Sequence, residues 1–292
     1  MATTGPVTIP LRPARKRRLN PGKLWLKCRK MWHKLHLLSH WHLRQHTPFQ
    51  AVFVLATHRS GSNLLVDYVN GLPGVSSNSE VLCATLPFGV WRQHERPERA
   101  LNHIAQSFQT LNTPLRGCKL MLDQLASCKL TVESLEAAFP GSKYVILYRQ
   151  SLAEQFLSMQ SAKDTNQWVL FDGQERKQPK LHINSTQLRT YCDQIRRSYQ
   201  ELLTAPWRSK AVVLLSYEEL TSDPAWWLRE RICPLLGTER IAPQTCHRKQ
   251  NLLPLSERVE NYREVAALLA SPLCRQHLEL PGQQRQSQRR AA

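Results

Sequence analysis

Apolar and β-branched residues gather in three short runs, Ala51 to Ala56, Lys143 to Tyr148 and Ala211 to Ser216, each bounded by polar turns. Continuous apolar runs of this length suit strands buried on both faces, and they predict a parallel sheet. Cys118 to Leu122 repeats the pattern more weakly and reads as a fourth strand. Apolar residues recur at helical spacing over Asn63 to Asn70, Leu152 to Ala162, Thr186 to Leu203 and Ser256 to Leu269. Strands separated by helices of this length predict an α/β fold, a central parallel sheet flanked by helices on both faces. Ligands of such sheets lie past the carboxyl ends of the strands, so the loops that follow the strands are where chemistry is sought.

A different pattern occupies the amino-terminal end. Leu24, Trp25, Cys28, Met31, Trp32, Leu35 and Leu38 recur at helical spacing, while Lys23, Lys27, Lys30 and Lys34 take the other face. This predicts a basic amphipathic helix over residues 23–46, suited to an anionic membrane surface or to packing on the domain. Of 40 Lys and Arg residues, eleven lie in residues 1–47, where there is no acid, and three lie in residues 281–292. The formal net charge is +18, yet residues 48–280 carry only +4 of it. The expected organisation is therefore a basic, partly disordered extension (1–47), one globular domain (48–280) and a basic disordered tail (281–292).

The basic ends alone would also suit a polyanion or nucleic-acid binder with a vestigial phosphate loop. The nearly balanced body and the lack of a nucleic-acid module argue against it, and no specific nucleic acid is expected. No purely apolar run is longer than that of Ala51 to Ala56, far short of the roughly 20 residues a bilayer span needs. The segment after Arg12 to Arg18 is not the apolar core of a secretory signal. The expectation is a cytoplasmic protein that touches membranes through residues 23–46 if at all. The eight cysteines show no CxxC pair and no metal-ligand spacing, so they read as reduced thiols.

Chemistry concentrates after the first strand. Thr57-His-Arg-Ser-Gly-Ser-Asn63 is a short polar turn leading into a helix. Amides at a helix amino terminus, helped by the helix dipole, form a cradle for phosphate or sulfate. Ser60 and Ser62 can add hydroxyls and Arg59 a fixed positive charge. Against the nucleotide-kinase loop GxxxxGK[ST], alignment on Gly61 places Ala56, Ser62 and Asn63 at the other fixed positions, and none fits. Taken alone, the segment is equally an ordinary turn before a capped helix.

With its surroundings, the chain resembles the sulfotransferases that use 3'-phosphoadenosine 5'-phosphosulfate, particularly their bacterial carbohydrate branch. Thr57-His-Arg-Ser-Gly-Ser-Asn-Leu-Leu65 is similar to the family's 5'-phosphosulfate loop, and Tyr148-Arg149 through Ser158 to its 3'-phosphate segment. Ala162 to Trp168, Tyr217-Glu-Glu-Leu220 with Asp223-Pro224, Arg248-Lys-Gln-Asn251 and Glu257 to Tyr262 follow in the same order. The family often has two adjacent arginines where this chain has Arg149 followed by Gln150. The resemblance implies a P-loop-like three-layer fold and a metal-free transfer of a sulfuryl group to a hydroxyl on a carbohydrate or glycolipid. It implies that Ser60, Gly61, Ser62 and Asn63 bind the 5'-phosphosulfate and that Arg59 neutralises the leaving oxygen. It further implies that Arg149, Ser158, Arg248 and Lys249 bind the 3'-phosphate, and that Glu80 is the general base. His58 and His94 are rivals for the base, because unperturbed histidine titrates nearest neutrality. Lys119 matches a family Gly-x-Lys segment and is alternatively a structural ion-pair member. Acceptor contacts are expected from residues 82–103 and 164–183.

Overall fold

The computed structural model describes residues 48–83, 96–207, 209, 211–239 and 241–280. The expected helix over residues 23–46, the basic tail, His94 and most of the 82–103 stretch lie outside the described residues. Five strands form one sheet in the order β2-β3-β1-β4-β5. They are β1 (Gln50–Ala56), β2 (Val75–Glu80), β3 (Leu115–Met121), β4 (Lys143–Tyr148) and β5 (Val212–Ser216). All four pairings are parallel, so every strand ends at the same edge.

Alternation along the strands builds a core on each face. Phe53, Leu55, Cys118, Leu120, Tyr144 and Ile146 face α2 (Pro97–Phe108), α4 (Val132–Ala138) and α6 (Ser185–Thr204) through Phe108, Leu135 and Tyr199. Val52, Val54, Val145, Leu147, Val213 and Leu215 face the other way, onto Leu65 and Val69 of α1 (Ser62–Asn70) and onto Trp227 and Ile232. Complete burial of such a side chain contributes about 1.5–3 kcal/mol relative to exposure. A third cluster joins α5 (Leu152–Thr165) to α6 and to α11 (Tyr262–Ala270) through Phe156, Leu188, Cys192, Val265 and Leu269. The α/β, three-layer expectation holds.

Two expectations need correction. The weak fourth strand over 118–122 is the fully buried β3, lying between β2 and β1, and the sheet has a fifth member, β2. The helix expected over 256–269 is two, α10 (Leu255–Arg258) and α11, because Val259 leaves the helix to bridge Leu181. Leu181 N–H donates to Arg258 O at 2.8 Å, and Glu260 N–H donates to Leu181 O at 2.9 Å. Those backbone bonds replace the helical ones at the break.

Candidate active site

The turn Thr57 to Gly61 leaves β1 at the centre of the sheet edge, where strands β3 and β4 flank it. Two residues turn it sharply: Arg59 at φ 63° and Gly61 at φ 89° both lie in the left-handed region. Glycine is required at position 61 on two counts. It supplies the positive φ, and a Cβ there would lie 2.3 Å from the Tyr217 ring. Gly61 brings no side-chain cap to α1, whose first backbone bond runs from Leu65 N–H to Gly61 O. The first-turn amides of an α-helix have no intrahelical acceptor, so those of Ser62, Asn63 and Leu64 face outward from the turn.

The turn is held from beneath. Ser60 is fully buried, and both its N–H and its hydroxyl donate to Thr57 O, so this side chain shapes the loop. The Tyr199 hydroxyl donates to Leu147 O at 2.6 Å and accepts from Thr57 N–H at 3.1 Å. Gln155 donates to Thr57 Oγ1 at 2.8 Å and to His58 O at 2.6 Å. Burial pushes the Tyr199 hydroxyl's pKa well above its ordinary value, against the opposing Thr57 contacts, so it stays protonated to donate.

Beyond this support the loop divides. Arg59 reaches toward the β4 flank: its Nε donates to Ser158 Oγ at 2.9 Å, and its terminal nitrogens donate to Trp168 O and Gln250 Oε1. Arg149, buried at the end of β4, donates to Arg59 O at 3.3 Å and stacks over the Tyr217 ring at 4.8 Å. Glu154 and Glu218 lie 3.8 Å from its guanidinium. Burial, and then repulsion from Arg149, pushes the Arg59 pKa down to about 10, which still leaves it charged at neutral pH. Arg59, 90 residues before Arg149 and 99 before Ser158, thus shares one cationic recess with them.

His58 turns to the β3 flank, where its Nε2 lies 3.1 Å from Asp123 Oδ2 on α3 (Leu122–Ser127). The Asp123 hydrogen bond outweighs burial and holds the His58 pKa above its usual value. Burial raises that of Asp123, but its bonds from His58 and the helix backbone leave it lowered. On the same flank Lys119, 1 % exposed, lies 3.0 Å from Glu80 Oε1 and donates to Asn63 Oδ1. Gln124 donates to Glu80 Oε2 at 3.3 Å. Glu80 closes β2 after a register shift between Asn78 and Glu80, which aims it at this cluster.

The remaining expected residues sit at the rim. Arg248 pairs with Asp172 at 3.6 Å on an exposed surface, and Lys249 is exposed. Their neighbour Gln250 is the residue of that segment that reaches Arg59. Within 164–183, Trp168 and Phe171 are 43 % and 40 % exposed. Among the described residues, no group of three or more His, Cys, Asp or Glu side chains could hold a metal ion. Sequence reasoning missed Gln155 and Tyr199, which hold the turn from beneath. An aromatic residue on the packed face of a long helix carries the same periodic signal whether or not its hydroxyl is used.

The model of the sulfotransferase family matches residues 51–242. Two sequences of nodulation protein H from Rhizobium meliloti, one of them from strain 1021, are 23% and 26% identical, each over 77% of this chain and 93% of its own length. Among solved structures, a sulfotransferase from Alicyclobacillus acidocaldarius superposes with TM-score 0.46 at 13% identity, covering 77% of this chain and 92% of that one. A mouse sulfotransferase complexed with PAP superposes with TM-score 0.41 at 15% identity, covering 71% of this chain and 65% of that one.

Proposed function

The chain belongs to the sulfotransferase family, and we propose that it uses 3'-phosphoadenosine 5'-phosphosulfate and that the divided loop after β1 separates this donor from the acceptor. The observation that carries this reading is the uncapped start of α1 beside the recess of Arg59, Arg149 and Ser158. Amides of Gly61, Ser62 and Asn63 bind the 5'-phosphosulfate while Ser60 keeps the turn in shape. Arg149 and Ser158 bind the 3'-phosphate, with Arg248 and Lys249 closing over it from the rim.

Sulfuryl transfer resembles phosphoryl transfer, an in-line displacement in which positioning and charge neutralisation do most of the catalysis. The acceptor oxygen bonds to sulfur as the bond from sulfur to the bridging oxygen breaks. Arg59 exchanges Trp168 O and Gln250 for the donor and neutralises that oxygen. The acceptor's proton goes to Glu80, which Lys119 and Gln124 hold in orientation. A second reading assigns the proton to His58, because Asp123 on Nε2 leaves Nδ1 as the lone-pair nitrogen. Glu80→Gln separates them: on the first reading turnover falls about 10²- to 10⁴-fold with nucleotide affinity unchanged, and on the second it does not.

The acceptor is a carbohydrate or glycolipid hydroxyl. Supporting this are the loop's likeness to the carbohydrate branch and the exposed rings of Trp168 and Phe171, on the segment whose Trp168 carbonyl accepts from Arg59, surfaces suited to the apolar faces of sugar rings. We further propose a cytoplasmic enzyme that contacts anionic membrane through residues 23–46. The nucleotide reading is tested by calorimetric titration with 3',5'-adenosine bisphosphate. Wild type binds, and Arg59→Ala and Arg149→Ala each lose roughly ten- to a hundredfold, as expected for charge-assisted contacts. Salt-sensitive binding to any DNA, with none to the bisphosphate, would overturn it in favour of a polyanion binder.

A further inference from the structure

We infer that Tyr191 is a phosphate-binding residue of this site, its hydroxyl donating a hydrogen bond to the 3'-phosphate of the donor and thereby discriminating 3'-phosphorylated from plain adenosine nucleotides. The inference rests on the sulfotransferase reading and adds a contact to it from a helix that no motif touches. Tyr191 lies on α6, where its ring packs against Phe156 of α5 at 5.3 Å between centroids. That contact holds the ring, and with it the position of the phenol oxygen.

Two enclosed donors at this place meet no hydrogen-bond partner among the described residues: Tyr191 Oη, and Arg149 Nε, whose nearest carboxylate, Glu218, stands off at 3.8 Å. A buried polar atom without a partner costs about 1–3 kcal/mol, so such atoms are uncommon except where a ligand completes them. They belong to different elements, α6 and the end of β4, yet both stand in the electrostatic neighbourhood of Arg59. The adjoining hydroxyl, Ser158 Oγ, accepts from Arg59 Nε. Two guanidiniums, one hydroxyl already oriented by a cation and one undirected phenol outnumber as donors the carboxylates of Glu154 and Glu218, which stand off from Arg149 at 3.8 Å, and match the acceptor-only oxygens of a phosphate.

The protonation state fits the task. Burial raises the Tyr191 pKa far above the ordinary tyrosine range, while Arg149 and Arg59 oppose it less strongly. The phenol therefore keeps its proton at neutral pH and is a donor, never a second anion facing the phosphate. Tyr199, one of its neighbours, is already committed to Leu147 O and Thr57 and cannot take the same part.

The test compares two nucleotides on full-length protein. By calorimetry, Tyr191→Phe is expected to weaken 3',5'-adenosine bisphosphate roughly ten- to a hundredfold, as for a lost hydrogen bond to a charged group. Adenosine 5'-monophosphate, which lacks the 3'-phosphate, is expected to change by less than about twofold, so the ratio serves as its own control for folding. Melting temperature is read alongside. An equal loss for both nucleotides, or a loss of less than about threefold for the bisphosphate, would make Tyr191 a packing residue and overturn the proposal. Wild type that binds neither nucleotide would overturn the underlying enzyme reading and this contact with it. Wild type that binds both equally would leave the nucleotide site standing and remove 3'-phosphate recognition, and the proposal falls.

Discussion

The Tyr199 hydroxyl joins the end of β4 to the first residue of the turn, through Leu147 O and Thr57 N–H. Tyr199→Phe leaves the Thr57 amide without that acceptor in a buried place, at about 1–3 kcal/mol. A melting temperature lowered by roughly 2–10 °C is expected, and an unchanged one would show the turn standing without this support. Gly61→Ala is expected to be worse than a conformational penalty of about 1–2 kcal/mol, since the new Cβ also meets the Tyr217 ring. Tyr217→Ala in the same chain relieves the contact and leaves the strained φ, so bisphosphate affinity should recover only in part. The His58 and Asp123 pair has a defined pH signature. His58 is raised, so its stabilisation is present below its ordinary value and is lost as pH climbs through the folded one. Asp123 is lowered, so its share is present above its ordinary value and is lost as pH falls through the folded one. Asp123→Asn should thus reduce stability most in the weakly acidic window between them, and little above it, in melting curves taken across pH. Arg59 was legible as a fixed charge in the turn after β1, whereas Arg149 and Ser158 were reached only through the resemblance. Tyr191, Tyr199 and Gln155 were not legible, because packing alone accounts for such residues on a helix.

Among elements, β1, β4 and β5 were legible because nothing polar interrupts their apolar runs, whereas Arg116 and Lys119 within the equally buried β3 weakened its signal. β2 was not legible: Val75-Ser-Ser-Asn-Ser-Glu80 offers no apolar period, and it joins the sheet at its edge by backbone bonds to β3 alone. Its place in the sheet delivers Glu80 to Lys119, which spacing along the chain could not reveal. The split of the C-terminal helix was hidden because the apolar period continues across Val259 while a distant residue, Leu181, diverts its backbone. The segments around Trp168 to Phe171 and His247 to Gln250 form a clasp over Arg59. Arg248 N–H donates to Leu170 O at 2.8 Å, Phe171 stacks on His247 at 5.0 Å, and Gln250 donates to Gln167 O at 2.8 Å. Gln250 also accepts from Arg59, so a donor molecule must compete with it. Gln250→Ala should tighten the bisphosphate by roughly two- to tenfold, the worth of one ordinary hydrogen bond. A tenfold weakening would instead make Gln250 a nucleotide contact.

For the whole molecule, charge and catalysis are segregated: residues 48–280 carry +4 of the +18, and the residues assigned to chemistry all lie within them. Among the described residues, no helix is long and apolar enough to cross a membrane. Replacing Lys23, Lys27, Lys30 and Lys34 by Gln in the full chain should reduce sedimentation with anionic vesicles and make it less dependent on salt, leaving bisphosphate affinity unchanged. Equal sedimentation of both proteins would remove membrane contact through residues 23–46. The left-handed twist at Arg59 has a consequence for evolution as well as for chemistry. Consecutive residues, whose Cα atoms are about 3.8 Å apart, serve opposite flanks, His58 toward Asp123 and Arg59 toward Ser158. An insertion or deletion of a single residue there would exchange the two sides, so a change of length in this short stretch should disable both flanks even where every side chain is kept.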